Sequence, residues 1–187
     1  MSHLIVLSGL PGTGKTTLSR RLTHALANSE VISLLEIRRA LGHKRYNPHQ
    51  NPLVHDILHQ QIVYLISQKT HVIVDSTNAT QAKRLPYYHI AAATRTPVTI
   101  LEMTCPTEVS KRRIRQRPRI PHTVNPPSLP TTYQKVAREW VSPARDSFHC
   151  AHIRIDSCLM TFAALTPLRG HYRSILREFL KNHYTEE

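Results

Sequence analysis

Eight consecutive residues, Gly9-Leu10-Pro11-Gly12-Thr13-Gly14-Lys15-Thr16, satisfy the spacing G-x-x-x-x-G-K-[ST]. Glycines at such positions let the backbone curl closely around an anion and aim N–H groups at its oxygens. A lysine at the seventh position can reach the β- and γ-phosphates of a nucleoside triphosphate, and the hydroxyl that follows can bind Mg²⁺. Gly12, Thr13, Gly14, Lys15, Thr16 and Thr17 therefore form a candidate nucleotide-binding set, with ATP or another nucleoside triphosphate and Mg²⁺ as its ligands. The surroundings suit the motif. An apolar strand signal, LIVL at 4–7, runs into it, and Leu18, Leu22, Ala25 and Leu26 behind it fall on one helical face.

A second chemical feature is the acid that ends HVIVD at 71–75. A continuous apolar run of this length reads as a buried parallel strand. Ligands of open α/β sheets sit beyond the carboxyl ends of such strands. Asp75 is accordingly a candidate metal-organising residue beside Thr16, weighed against simple capping of the next helix by Asp75, Ser76 or Thr77.

The elements that must position these groups can be read along the chain. VIS at 31–33 predicts a strand, followed by a helix to about Ala40 and a loop over 42–52. A helix near 53–68 carries Val54, Ile57, Leu58, Ile62, Leu65 and Ile66 as its apolar stripe. After HVIVD come a helix over roughly 80–94, the strand VTILEM at 98–103 and an arginine-rich helix at 106–117. Pro118, Pro121, Pro126, Pro127 and Pro130 then forbid regular structure across 118–130. A helix bearing Tyr133, Val136, Ala137 and Trp140 follows. HIRID at 152–156 reads as the last strand, and Tyr172, Ile175, Leu176, Phe179 and Leu180 line a C-terminal helix. Strands alternating with helices predict an α/β P-loop fold: one domain over 1–187, a parallel β-sheet flanked by helices, and a lid near 106–130.

Composition bounds the partners. The chain has 187 residues, enough to bury a core unaided, with 25 Lys and Arg against 12 Asp and Glu. The resulting net charge of +13 favours a polyanionic partner such as nucleic acid, while 6% aromatic residues argue against a broad base-stacking platform. Three cysteines, Cys105, Cys150 and Cys158, form no C-x-x-C pair and suggest neither a disulfide framework nor a zinc site. No apolar run spans a bilayer and HLIVLSGL is too short for a signal peptide, so a cytoplasmic protein with no membrane partner is expected. The thirteen histidines do not point to a metal: His55 and His59 are four apart but lack the intervening acid of H-E-x-x-H. His43, Lys44, Arg45 and His49 read as a polar loop, and Trp140, Tyr87 and Tyr88 as packing residues.

Taken together, GLPGTGKTTLSRRL (9–22), VISLLEIRRAL (31–41), VIVDSTNATQAKR (72–84) and CPTEVSKRRIRQRPR (105–119) resemble the polynucleotide-kinase-like branch of small P-loop kinases. PSLPTTYQKVAREW (127–140) and HIRID match more weakly. That branch includes 5′-hydroxyl polynucleotide kinases, seryl-tRNA kinases and zeta-type toxins. The resemblance implies that Asp75 and Asn78 take the D-T-N box positions, Asn78 on the substrate side, and that Arg38 holds the acceptor's phosphate. It further implies that Arg113 and Arg117 are the lid arginines that neutralise charge on the triphosphate. Their i, i+4 spacing would aim both guanidiniums the same way, leaving Arg112, Arg115 and Arg119 for an RNA or DNA backbone.

One departure matters. The resembling proteins carry an Asp three residues before the Arg, and it accepts the proton of the attacking hydroxyl; here that position is Leu35, with Glu36 beside it. One helical residue is a rotation of about 100°, so Glu36 cannot occupy the same spot without a shifted helix start. Glu36 is the candidate base on that condition. Otherwise transfer proceeds with little base assistance, or the chain binds nucleotide without phosphorylating a hydroxyl. The expected activity is transfer of the γ-phosphoryl group of ATP to a hydroxyl, first a polynucleotide 5′-hydroxyl of RNA or DNA, or a tRNA or nucleotide hydroxyl. A small-metabolite kinase and a catalytically impaired nucleotide-binding module are the rivals.

Overall fold

A computed structural model describes residues 2–118, 121, 124, 130–148, 150–166 and 171–187. In chain order its elements are β1 (Leu4–Gly9), α1 (Lys15–Ala25), β2 (Ser29–Ser33), α2 (Leu34–Ala40), α3 (Asn51–Ser67), β3 (His71–Asp75), α4 (Gln81–Ala93) and β4 (Val98–Thr104). They continue with α5 (Thr107–Arg115), α6 (Pro130–Glu139), β5 (Ala151–Asp156), β6 (Thr161–Ala164), α7 (His171–His183) and β7 (Thr185–Glu186). Short 3₁₀ turns at Pro48–Gln50 and Pro143–Arg145 precede α3 and β5.

The described strands form one sheet in the order β2-β3-β1-β4-β5-β6-β7. Pairings from β2 through β5 are parallel, in register Ile5↔Ile73 and Leu7↔Leu101 on either side of β1. β1 is thus interior and fully buried, which its run of apolar side chains requires. Alternate residues split between two cores. Leu4, Val6, Val72, Val74 and Ile100 face Val54, Leu58 and Ile62 of α3 and Tyr87, Tyr88 and Ala91 of α4. Ile5, Leu7, Ile73, Leu101, Ile153 and Ile155 face Leu18 and Leu22 of α1 and Leu176, Phe179 and Leu180 of α7. The period of two in the strands sets both layers. Helices on both faces of a mostly parallel sheet make this the P-loop α/β fold expected from the alternation of elements.

Three sequence expectations change. HIRID is not the last strand: β6 returns antiparallel to β5, pairing Ile155 with Phe162. The reversal is made by Asp156, whose Oδ1 accepts from the amides of Cys158 and Leu159, and by Met160 at φ 55°. Ala25 is exposed at the end of α1, and Leu26 just beyond it takes the buried place. Trp140 lies one residue past the end of α6 and is half-buried. Arg119, Pro126, Pro127 and most of the 118–130 stretch lie outside the described residues, as does the side chain of Tyr172. Among the described residues no helix is long and apolar enough to cross a membrane.

Candidate active site

β1 delivers the chain to the carboxyl edge of the sheet, where Gly9–Gly14 turn it into α1. Gly12 and Gly14 have φ of 88° and 95°, the left-handed region that only glycine enters without strain. A Cβ on Gly12 would come within 2.5 Å of the Ser110 carbonyl oxygen, so α5 presses directly on the loop. Gly14 is the residue preceding the first turn of α1, which puts the positive end of an eleven-residue helix at the mouth of the loop.

The Lys15 ammonium lies buried inside this turn. Its Nζ donates to the carbonyl oxygens of Gly9 and Leu10 at 2.7 and 2.8 Å. Burial lowers its pKa from the usual lysine range to about 8, opposed by the nearby charge of Asp75 and reinforced by that of Arg117. Thr13 is buried too, its hydroxyl donating to the Leu10 carbonyl at 2.9 Å. Thr16 and Thr17 are exposed on the first turn of α1.

Asp75 ends β3, the strand between β2 and β1, and is half-buried at the same edge. Arg117, just beyond α5, is near enough to interact electrostatically with Asp75 and Lys15. Its guanidinium is desolvated enough to lower its pKa, with Asp75 acting to raise it again. Arg113 spans the gap between loop and sheet: Nη1 donates to the Gly12 carbonyl oxygen at 3.4 Å and to Ser157 Oγ at 2.9 Å. Lys15, Asp75, Arg113 and Arg117 are thereby gathered around one loop.

The i, i+4 account of the two arginines does not hold. α5 ends at Arg115, with Gln116 as its cap, so Arg117 stands beyond the helix. Pro118 explains this, because a residue before proline is pushed out of the helical region. Arg112 and Arg115 are exposed on α5, as their different angular positions require.

Asn78 is also corrected. It is 2% exposed, at φ 45°, and makes no outward contact. Its Nδ2 donates to the Leu7 carbonyl oxygen at 2.8 Å, and its Oδ1 accepts from the Tyr87 hydroxyl at 3.3 Å. Its own carbonyl accepts from Ser8 Oγ and Arg84 Nη1. The residue fastens the turn after Asp75 to the end of β1, and a substrate-side role is withdrawn.

Glu36 is likewise drawn elsewhere. Its carboxylate is 64% exposed and pairs with Arg39 Nη1 at 2.6 Å, one turn along α2, while Arg39 Nε donates to the Val124 carbonyl. Ser33 caps α2 by accepting from the Leu35 amide, so the helix start is fixed without the shift that would turn Glu36 inward. Arg38, by contrast, is 8% exposed: Nη2 donates to Asn51 Oδ1 at 2.7 Å and Nη1 to the Leu34 carbonyl, with the Tyr46 ring 5.3 Å away. Its Nε is buried with no hydrogen-bond partner among the described residues.

Sequence reasoning missed the group that organises this edge. Arg84 of α4 is 0% exposed and meets both oxygens of Asp146 at 2.6 Å, and the Tyr88 hydroxyl donates to Asp146 Oδ2 at 2.6 Å. Removing one partner of such a pair costs about 3–5 kcal/mol, because the other charge is left buried and uncompensated. Asp146 is 62 residues from Arg84, and no local spacing could have announced it. Tyr87 and Tyr88 pack in the core as expected but also carry hydrogen bonds.

Comparison with known proteins agrees with this fold. The model of a family described as an AAA domain, AAA_33, matches residues 4–129. A candidate kinase from Chloroflexus aurantiacus j-10-fl superposes with a TM-score of 0.68 at 16% identity, over 98% of this chain and 99% of that one. A sugar kinase from Janibacter sp. HTCC2649 gives 0.59 at 15% identity, over 97% and 94%. A chain of the Pnkp1/Rnl/Hen1 RNA repair complex gives 0.56 at 20% identity over 75% of this chain; the match spans 46% of that chain. At these identities the likeness is one of fold.

Proposed function

This chain belongs to the AAA domain family AAA_33, and from that premise we propose that it transfers the γ-phosphoryl group of ATP to a hydroxyl at the 5′ end of a polynucleotide. The observation that carries the reading is the convergence of Lys15, Asp75, Arg113 and Arg117 on one glycine loop at a helix N-terminus. In phosphoryl transfer the protein contributes mostly position and charge, and these are the groups such a role needs.

Backbone amides of Gly12–Thr17 and the Lys15 ammonium hold the triphosphate, and Lys15 exchanges its loop carbonyls for phosphate oxygens. Arg113 and Arg117 lie against the developing negative charge. Thr16 offers an exposed hydroxyl and Asp75 a half-buried carboxylate, both hard oxygen donors, and among the described residues no group of three or more His, Cys, Asp or Glu gathers for a metal. Such a set fits Mg²⁺ held by one or two protein oxygens together with substrate phosphates. Bound there, the ion would neutralise charge on the triphosphate. Arg38, with its buried Nε still to be satisfied, holds an acceptor phosphate from the α2–α3 wall.

Two features favour a polynucleotide acceptor. The net charge of +13 suits a polyanion, and exposed Arg112 and Arg115 extend the basic surface beside the site. The structural likeness to a chain of an RNA repair complex points the same way.

A second reading, an impaired nucleotide-binding module, is favoured by Leu35 and by the commitment of Glu36 to Arg39. The test incubates ATP labelled in its γ-phosphate with 5′-hydroxyl DNA, RNA and tRNA, using wild type, Lys15→Ala and Leu35→Asp. Labelled nucleic acid from wild type, reduced about 10²–10³-fold in Lys15→Ala, supports the kinase. Labelling by Leu35→Asp alone supports the impaired module, and silence from every variant removes polynucleotide as the acceptor.

A further inference from the structure

The Asp75 turn is fastened from two sides. Towards the loop, Asn78 Nδ2 holds the Leu7 carbonyl, Ser8 Oγ donates to the Asn78 carbonyl at 3.1 Å, and the Gly9 amide donates to the Thr77 carbonyl at 3.1 Å. Three successive residues at the end of β1 are thus tied to the turn that begins one residue after Asp75. Away from the loop, the same Asn78 carbonyl accepts from Arg84 Nη1 at 2.8 Å, and Arg84 is gripped in turn by Asp146. The Val141 amide adds a bond to the Ala79 carbonyl at 2.8 Å. The segment between α6 and β5 therefore reaches the Asp75 turn through one buried guanidinium and one backbone bond.

Stability alone does not account for this design. A guanidinium pair in a dry interior is no better for stability than apolar packing of the same volume. What it does supply is direction, because a planar fork satisfied on both edges has one allowed pose. That pose fixes the Asn78 carbonyl, and with it an Asn held at φ 45°, a backbone state that is uncommon outside glycine.

We propose that Arg84, anchored by Asp146 and acting through Asn78, is a positioning residue that sets where Asp75 meets the nucleotide-bound magnesium. This rests on the reading of Asp75 given above. It places the control of the metal carboxylate on α4 and on the chain leading into β5, both outside the glycine loop.

The test measures ATP binding by calorimetry across a magnesium titration, on the full chain, for wild type, Asp75→Asn, Asp146→Asn, Tyr87→Phe and the double variant Asp75→Asn/Asp146→Asn. Asp146→Asn is expected to raise the magnesium concentration needed for half-maximal ATP affinity about 10-fold, the lower range for loss of an outer partner of a metal site. Tyr87→Phe, which removes one hydroxyl from Asn78 Oδ1 and leaves the ion pair intact, should raise it about 3-fold. Affinity for ATP without magnesium should stay at the wild-type value in both, a result that general loosening of the fold would not give. The double variant should require no more magnesium than Asp75→Asn alone.

If Asp75→Asn leaves the magnesium requirement unchanged, the metal role of Asp75 fails and this inference falls with it. If Asp75→Asn raises the requirement while Tyr87→Phe and Asp146→Asn do not, the metal role stands and the positioning role is overturned. Should Asp146→Asn fail to fold, Arg84→Lys, which keeps the charge but loses the fork between Asp146 and the Asn78 carbonyl, decides the matter by the same criterion.

Discussion

The two halves of the carboxyl edge are built differently. Around the glycine loop, groups from β1, the β3–α4 turn, α5 and the β5–β6 turn interlock: Gly9 with Thr77, Gly12 with Ser110, Arg113 with both Gly12 and Ser157. On the α2–α3 side most contacts are nearer in sequence, the bonds of Val124 to Arg39 and His43 excepted. Glu36 meets Arg39 within one helix, Arg38 meets Asn51, and Tyr46 covers them from the loop with 61% of its surface exposed. A triphosphate is the same molecule for every enzyme that uses it, so its cradle can be rigid. An acceptor is particular to each, and the α2–α3 wall proposed above to meet it is made mostly from short-range contacts, which can vary without disturbing the cradle.

This contrast can be broken by substitutions that respect or ignore it. The largest effect belongs to Gly12→Ala. The new Cβ meets the Ser110 carbonyl at 2.5 Å from a backbone at φ 88°, and strain of this kind costs about 1–3 kcal/mol even where the neighbour yields. Melting temperature should fall by several degrees (about 2–12 °C for that cost) and magnesium-dependent ATP binding should be lost, as thermal denaturation and calorimetry would show. Unchanged binding would mean that α5 gives way and that the cradle is softer than its contacts imply.

A smaller effect comes from pH. Burial holds the Lys15 pKa near 8, below its value in the unfolded chain. The unfolded chain therefore binds more protons between about pH 8 and the ordinary lysine range, and the ligand-free protein gains stability as pH rises through that window. ATP affinity moves in the opposite direction, weakening above about pH 8 as the ammonium loses its charge. Lys15→Arg, which stays charged, should flatten that affinity profile between pH 7 and 9. A wild-type profile already flat across this range would show that phosphate is not met by Lys15.

The smallest effect is expected on the acceptor wall. Glu36→Gln removes an exposed pair of the sort worth about 0–1 kcal/mol, so stability should change by less than that and phosphoryl transfer by less than about 3-fold. A loss of 10²-fold or more in the transfer rate would reinstate Glu36 as the base and erase the distinction between the halves.

The same division governed what the sequence could reveal. The loop, its strand and its helix were legible because a single short segment specifies all three, from the apolar 4–7 run to Leu22. Asp75 was legible as the end of an apolar strand. Asn78 was visible as a residue and misread as to role, because its partners Leu7, Arg84 and Tyr87 converge only once β1, β3 and α4 are packed. The Arg84–Asp146 pair left no local trace, and Arg117 was assigned to a helix that Pro118 ends early. Spacing rules report what a chain does with its near neighbours, and these groups are defined by distant ones.

The central strand has a further consequence. Leu4 and Val6 touch only the layer of α3 and α4, whereas Ile5 and Leu7 touch only the layer of α1 and α7. One hexapeptide thus serves as a party wall between two rooms, each furnished independently. Volume lost in one room is felt first by its own helices, and news of it crosses to the other through the backbones of β1 and of its neighbours β3 and β4. Since the glycine loop grows from the end of that wall, drift accumulating in either room over evolutionary time reaches nucleotide chemistry by the same narrow door.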